Sequence, residues 1–305
     1  MAERQMTILQ ILPALQGGGV ERGVLEVAEA LVANGFRSLV ISQGGRLVKE
    51  LEAAGSEHFV MPIGAKSWRA LPCIAKLRSF ILQQQVDLID YHSRLPGWVT
   101  LAAWKSLVAN KRPRLVSSLH GLHSVNYYSS VMCRGEWIVV VSETVRQYVR
   151  QHFPFVPEER LIVIHRGVDA AEFPRGFTPS HSWRETFFSQ FPQLRNVNWI
   201  TLVGRITRLK GHEDMLQAIQ AMRAAGENAH GVIVGGVDPK KERYREYLAD
   251  RVSELGLERH VTFVGERRDL KEIYSMSRAV VSLSSTPESF GRSVAEALAV
   301  GTPVI

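Results

Sequence analysis

Short apolar runs rich in branched side chains alternate along the whole chain with stretches whose apolar residues recur every three to four positions. Such a pattern belongs to parallel sheets carrying helices on both faces. The first half opens with a strand Thr7 to Leu12, a loop Pro13 to Gly19 and a helix Val20 to Asn34, closed by Gly35 as a C-terminal cap. A strand Ser38 to Ser42, a helix Leu47 to Ala54 and a strand His58 to Met61 follow. Next comes a helix from Ala70 to Gln84 with Ile74, Leu77 and Ile81 on one face. Further strands are predicted at Leu88 to Tyr91, Leu115 to Ser118, Trp137 to Val141 and Leu161 to Ile164.

The periodicity then breaks. Pro174, Gly176, Pro179 and Pro192 interrupt the segment Phe173 to Asn198, so a linker is placed at residues 176–198, between a first domain, 1–175, and a second, 199–305. The cycle restarts with a strand Trp199 to Val203, a helix His212 to Ala225, a strand Gly231 to Val234 and a helix Arg243 to Leu255. A strand Val261 to Val264, a helix Leu270 to Ser275 and a buried strand Ala279 to Leu283 complete it. The fold class expected is α/β, as two Rossmann-like doubly wound domains. Val304-Ile305 read as the start of another buried strand, so the second domain is expected to be incomplete at its C-terminus.

A chain of 305 residues, 45% apolar and 22% charged, has room for two cores of this kind and is not disordered. Met6 to Leu15 is too short and too interrupted, by Gln10 and Pro13, for a secretory leader, and no apolar run approaches the ~20 residues that span a bilayer. Cys73 and Cys133 lie far apart without metal-ligand spacing, which points to a reducing compartment and by default the cytoplasm.

Charge changes the picture by its placement. Between Lys66 and Arg114 nine basic residues face only Asp87 and Asp90, an excess equal to the net +7 of the whole chain, and Trp68, Trp98 and Trp104 lie among them. This combination suits anionic lipid headgroups or a phosphorylated acceptor; a solvated basic face with core tryptophans is the plainer alternative. Nucleic acid is set aside, since no helix-turn-helix, finger or RNA-binding aromatic signature occurs.

The densest candidate chemistry lies in Thr286-Pro-Glu-Ser-Phe-Gly-Arg-Ser-Val-Ala-Glu296, where Glu288 and Glu296 bracket a glycine turn and a helix start. Glu288 falls in the loop at the carboxyl end of a strand, where open α/β sheets bind ligands, and can accept hydrogen bonds from sugar hydroxyls. Ser289 and the amides of Phe290 and Gly291 face an anion with the help of the helix dipole. Glu288 also reads as a solvated loop carboxylate. Ser293-Val-Ala-Glu296 also reads as a capping box.

In Gly204-Arg-Ile-Thr-Arg-Leu-Lys-Gly211, Arg205 and Lys210 present two cations after a strand, as a diphosphate leaving group requires. Gly17-Gly-Gly-Val-Glu-Arg22 lets amides approach a phosphate; its spacing is not that of a nicotinamide site. His120, in Ser117-Ser-Leu-His-Gly121, ends a strand and reads either as structural or as a group acting on an acceptor hydroxyl. His92 and Arg94 end the preceding strand and are candidates for the acceptor pocket.

Together these segments resemble the retaining glycosyltransferases of family 4, whose two glutamates are separated by seven residues as Glu288 and Glu296 are. The resemblance implies the GT-B architecture, two such domains across a cleft, over essentially the whole chain. It assigns Glu288 to the donor sugar, Glu296 to the ribose, and Arg205, Lys210, Gly18 and Gly19 to the donor phosphates. Val264 and Glu266, in Val261-Thr-Phe-Val-Gly-Glu266, fall to the base. Glu288 and His120 become the catalytic candidates. His165-Arg-Gly-Val-Asp169 matches the family's turn before the linker. Members continue beyond the point where this chain stops, so it is expected to be C-terminally truncated.

No metal is expected: the Asp-x-Asp pair of the other large glycosyltransferase fold is missing, and Arg205 and Lys210 stand in for a divalent cation. No other cofactor is implied, the nucleotide-sugar being a substrate. The function expected is anomer-retaining transfer of a hexose, with a UDP-sugar as the first choice of donor. Charge and a likeness to bacterial envelope enzymes point to a lipid-linked or lipopolysaccharide-core acceptor and to attachment at the inner face of the cytoplasmic membrane. The rival is a non-catalytic membrane- or glycan-binding module with a degenerate nucleotide cleft. A phosphorylase is disfavoured because no pyridoxal-lysine segment is found.

Overall fold

Seven parallel strands form the first sheet of the computed structural model, which describes residues 4–65, 71–237 and 242–305. They are β1 Thr7–Ile11, β2 Arg37–Ser42, β3 Glu57–Val60, β4 Leu88–Tyr91, β5 Arg114–Leu119, β6 Trp137–Val140 and β7 Leu161–Val163. Their order is β3-β2-β1-β4-β5-β6-β7, so the winding reverses between β1 and β4. Four strands, β8 Asn198–Val203, β9 Ala229–Val234, β10 Val261–Gly265 and β11 Ser277–Val280, form a second parallel sheet in the order β10-β9-β8-β11, reversing between β8 and β11. The chain accordingly divides into two compact units, Met1–Arg166 and Gly167–Ile305. Ligands of doubly wound sheets gather at the carboxyl ends of strands beside such reversals.

In the first unit, α1 (Gly19–Ala33) turns Val24, Leu25 and Ala28 onto Leu12, Leu15 and Val40. It ends as its sequence predicts: Gly35 takes φ 79°, and the amides of Gly35 and Phe36 donate to the carbonyls of Val32 and Leu31. Helices α2 (Val48–Ala53) and α3 (Leu71–Gln83) follow, α3 burying Cys73, Leu77 and Ile81. Two further helices were not assigned above. In α4 (Arg94–Lys105), Pro96 and Gly97 look like breakers, yet they sit in the first turn, where proline costs no hydrogen bond. Gly97 is needed there, because a Cβ would meet the Tyr91 ring at 2.8 Å. In α5 (Glu143–His152) the Ser142 hydroxyl caps the start by accepting from the Val145 amide.

Helix α4 also divides the basic segment. Arg94 opens the helix at the carboxyl end of β4, whereas Lys105 closes it ~18 Å away at the usual rise and Lys111, Arg112 and Arg114 follow beyond that end. Arg112 is used structurally: it stacks on Trp104, 4.7 Å from the ring centroid, and donates to the carbonyls of Lys105 and Leu107. The basic residues from Arg94 to Arg114 are therefore divided between the two ends of α4; Lys66, Trp68 and Arg69 lie outside the described residues.

The second unit shows period-two burial along β8. Ile200 and Leu202 face Met215 and Ile219 of α7 (His212–Ala224) and Leu248 of α8 (Glu242–Glu254). Trp199 and Val203 face the other way, toward Phe187 and Phe188 of α6 (His181–Gln190) and Ile273 of α9 (Leu270–Met276). Helix α6 lies inside the proline-rich segment read as a linker. Pro179 and Pro192 flank it without entering it, and Ser180 caps its start. The last strand is shifted as well. It runs Ser277–Val280, and Val281 to Leu283 already belong to the loop that leads to α10 (Arg292–Val300).

Candidate active site

In the second unit the loops after β8 and β11 meet at the reversal point. Gly211 takes φ 69° against the neighbouring loop, and a Cβ there would sit 2.0 Å from the Leu283 carbonyl oxygen. Only glycine allows that approach. The Ser285 amide donates to the Leu209 carbonyl across the same junction, at 3.0 Å. Lys210 is thereby carried to Glu288: its ammonium pairs with Oε1 of the carboxylate, which also accepts from Ser284 Oγ. Burial pushes the Glu288 carboxyl up, but the Lys210 ammonium and the Ser284 hydroxyl outweigh it and hold the group below its ordinary value. About a third of each side chain remains exposed, 30% for Lys210 and 32% for Glu288. Arg205, four residues past the buried Thr201, is exposed and makes no hydrogen bond or ion pair among the described residues.

Glu296 behaves differently. It is 6% exposed and accepts from the Tyr274 hydroxyl at 2.9 Å and from Arg292 Nε at 2.8 Å. Burial, and then the neighbouring carboxylate, raises the Tyr274 phenol and keeps it a donor. The capping-box reading is overturned. Helix α10 starts at Arg292 behind Gly291, which takes φ 76° and makes no side-chain cap, so Glu296 lies a full turn into the helix and reaches sideways to α9. Ser289, Phe290 and Gly291 are half-buried at the entry to α10, whose first amides have no partner within the helix.

Val264 and Glu266 line a pocket of 440 Å³ at the carboxyl ends of β8, β9 and β10, with Ile206, Gly235, Gly236 and Arg245. Gly235 holds its strand end against the next one, since a Cβ would lie 1.9 Å from the Gly204 carbonyl oxygen.

In the first unit, β1 and β4 bring the predicted groups together beside the other reversal. Gly18 is the N-cap of α1 and Gly19 its first residue. His92 follows β4 and His120 follows β5, with Nδ1 of His92 2.9 Å from Nε2 of His120 and the rings stacked at 5.1 Å. Asp90, held by the Ser118 hydroxyl at 2.9 Å, faces His92 Nε2 at 3.5 Å. On the other side Arg166 contacts His120 Nδ1 at 2.5 Å and the Gly19 carbonyl at 2.6 Å. Burial lowers both imidazoles, His120 well below its ordinary value with His92 and Arg166 adding to the effect; burial raises the Asp90 carboxyl. Arg94 turns away, toward Ser124 and Ser129, 5.3 Å over the Tyr128 ring. Beside it Arg134 lies within 6 Å of the rings of Trp98, Tyr127 and Phe155.

Tyr274, Arg292, Ser284, Asp90 and Arg166 were not singled out from the sequence. Asp90 stands two residues, and Ser284 and Arg292 four residues, from predicted groups, so local spacing marks them; Tyr274 and Arg166 act across the fold.

Among the described residues no helix is long and apolar enough to cross a membrane, and no three His, Cys, Asp or Glu side chains are placed to share a metal ion.

Two parallel α/β units of this kind are shared with GT-B glycosyltransferases, and the chain is one of them. The chain belongs to Glycosyltransferase Family 4, which it matches over residues 17–172, and it matches glycosyl transferases group 1 over residues 184–305. An uncharacterized glycosyltransferase of Methanocaldococcus jannaschii is 28% identical over 94% of this chain and 76% of its own length. A crystal structure of a glycosyltransferase from Rickettsia africae superposes with a TM-score of 0.83 at 29% identity, covering 98% of this chain and 78% of that one. HepE of Anabaena, solved with UDP-glucose, shares the fold at a TM-score of 0.81 and 22% identity, covering 98% and 80%.

Proposed function

We propose that the chain transfers a hexose, with retention at the anomeric carbon, from a nucleotide-sugar to a glycolipid or lipopolysaccharide-core acceptor. The observation that carries the donor half is the meeting of Lys210 and Glu288 from the loops after β8 and β11. A cation and a carboxylate side by side match the two ends of a sugar diphosphate. In this reading Lys210 and Arg205 take the diphosphate, where negative charge grows as the anomeric bond breaks, and stabilise the transition state more than the ground state. They do so in place of a divalent cation. Glu288 accepts from sugar hydroxyls, Glu296 from the ribose, and the 440 Å³ pocket at Val264 and Glu266 takes the base. Gly18 and Gly19 contribute amides to the phosphates. Uracil is the first base to try, because UDP-glucose is the ligand of HepE.

The acceptor side of this scheme is the end of β4, where His92 is buried against His120 and Arg94 reaches Ser124 and Ser129. Arg134 among exposed rings, Tyr127 at 73% and Phe155 at 54%, supports an amphipathic acceptor, since such rings cover sugar or lipid while guanidinium groups hold phosphate. We place the anionic membrane contact there, and not over all of residues 66–114.

Calorimetric titration with UDP, GDP and ADP tests the donor half. One nucleotide is expected to bind, about ten- to a hundredfold more weakly in Lys210→Ala and Arg205→Ala, the range for losing a charge-assisted hydrogen bond. Binding unchanged in both variants would sink the donor assignment. Liposome association that survives these changes and disappears in high salt locates the membrane contact elsewhere than the donor site.

A further inference from the structure

Arg166 has only donors to offer, and this fixes the protons of two histidines. Its contact with His120 Nδ1, at 2.5 Å, requires that nitrogen to be the acceptor. The neutral ring then carries its proton on Nε2, which donates to His92 Nδ1 at 2.9 Å. His92 in turn carries its proton on Nε2, the atom facing Asp90 Oδ2 at 3.5 Å. Two hydrogen bonds run one way, from Arg166 to His120 and from His120 to His92, and the Nε2–H of His92, which makes no hydrogen bond among the described residues, faces the carboxylate across 3.5 Å. We propose that Arg166, His92 and Asp90 are positioning residues that lock His120 as a neutral imidazole with its basic lone pair covered, so that His120 does not deprotonate the acceptor.

This inference rests on the transfer reading above and narrows it. With His120 unable to accept a proton, the acceptor hydroxyl passes its proton to an oxygen of the departing phosphate. Its own oxygen meanwhile bonds to the anomeric carbon, and the anomeric carbon–oxygen bond breaks with its electron pair on the diphosphate.

The site is built to admit the guanidinium. Gly23, one turn into α1, leaves the space: a Cβ there would sit 2.4 Å from Arg166 Nη1. The second contact, to the Gly19 carbonyl, anchors the group at a helix N-terminus, where the helix dipole disfavours a cation, so the placement is held by specific contacts. The groups facing His120 are His92 from the end of β4, His123 from the loop after β5 and Arg166 from beyond β7. Asp90 stands behind His92, and Arg94 acts on His123.

The test uses the full chain labelled with ¹⁵N at histidine, without ligand. In the wild type His120 and His92 are both expected as the Nε2–H tautomer, with His120 neutral at pH 7. Arg166→Met, which removes both donor and charge, should raise the His120 midpoint. Arg166→Lys, with a single donor, should keep the tautomer, and it carries the test if the Met variant fails to fold. In kcat/KM against pH, the acid limb of Arg166→Met should lie at higher pH than that of the wild type. An Nδ1–H tautomer at His120 in the wild type, or an unchanged midpoint in Arg166→Met, overturns the proposal. UDP titration of the same samples keeps the two readings apart: absence of nucleotide binding in the wild type defeats the donor assignment and leaves the tautomers to be read independently.

Discussion

Lys210 and Glu296 both hold ionic partners, but only one of the two contacts is sheltered from water. The Lys210–Glu288 pair is about one-third exposed, and such pairs contribute ~0–1 kcal/mol to stability. Lys210→Ala should therefore leave the melting temperature almost unchanged while nucleotide affinity falls; a large drop in melting temperature would show that the pair is structural. Glu296→Ala removes an acceptor from the Tyr274 hydroxyl and from Arg292 in a buried setting, which costs about 1–3 kcal/mol. It should lower the denaturation midpoint clearly, with Glu296→Gln in between because its amide oxygen still accepts one bond. Equal midpoints for Glu296→Ala and the wild type would contradict the burial argument.

At the scale of elements, the glycine between β8 and α7 connects two loops and cannot be replaced quietly. Gly211→Ala must accept φ 69° and displace the Leu283 carbonyl, so both thermal stability and nucleotide binding should suffer. Retained affinity with lowered stability would separate the turn from the site. The strands were legible because each is a short apolar run ending in turn residues, and the glutamate and Arg-Lys segments were legible because they follow such runs. Helix α4 was hidden by Pro96 and Gly97, whose helix-breaking effect vanishes in a first turn, and α6 by flanking prolines. Tyr274 meeting Glu296, and Arg166 meeting His120, join elements that only packing brings together, and local spacing carries no trace of them.

Across the whole molecule, buried histidines tie stability to pH. Burial lowers His92, His120 and His212, and His230, bonded to Thr262 at 2.8 Å, falls to about 4. The unfolded chain binds protons at these positions near pH 6.5, before the folded one does, so their stabilisation is complete above that value and lost as pH falls toward the folded values. For His230 the loss is on the order of 3 kcal/mol between pH 6.5 and about 4. Urea midpoints should decline through this window, and less steeply in His230→Gln; parallel slopes would remove His230 from the account. The pairing of Lys210 with Glu288 joins residues 78 positions apart, across strands that are not consecutive in the chain. Contacts of such long sequence separation close late, because the intervening loop must lose its freedom first. In stopped-flow refolding the far-ultraviolet signal of the helices should therefore recover ahead of the capture of a fluorescent nucleotide, and simultaneous recovery would place the junction in the early nucleus. A newly made chain would then pass through a helical interval in which it cannot yet hold a donor, and that interval is when proteases and chaperones would meet it.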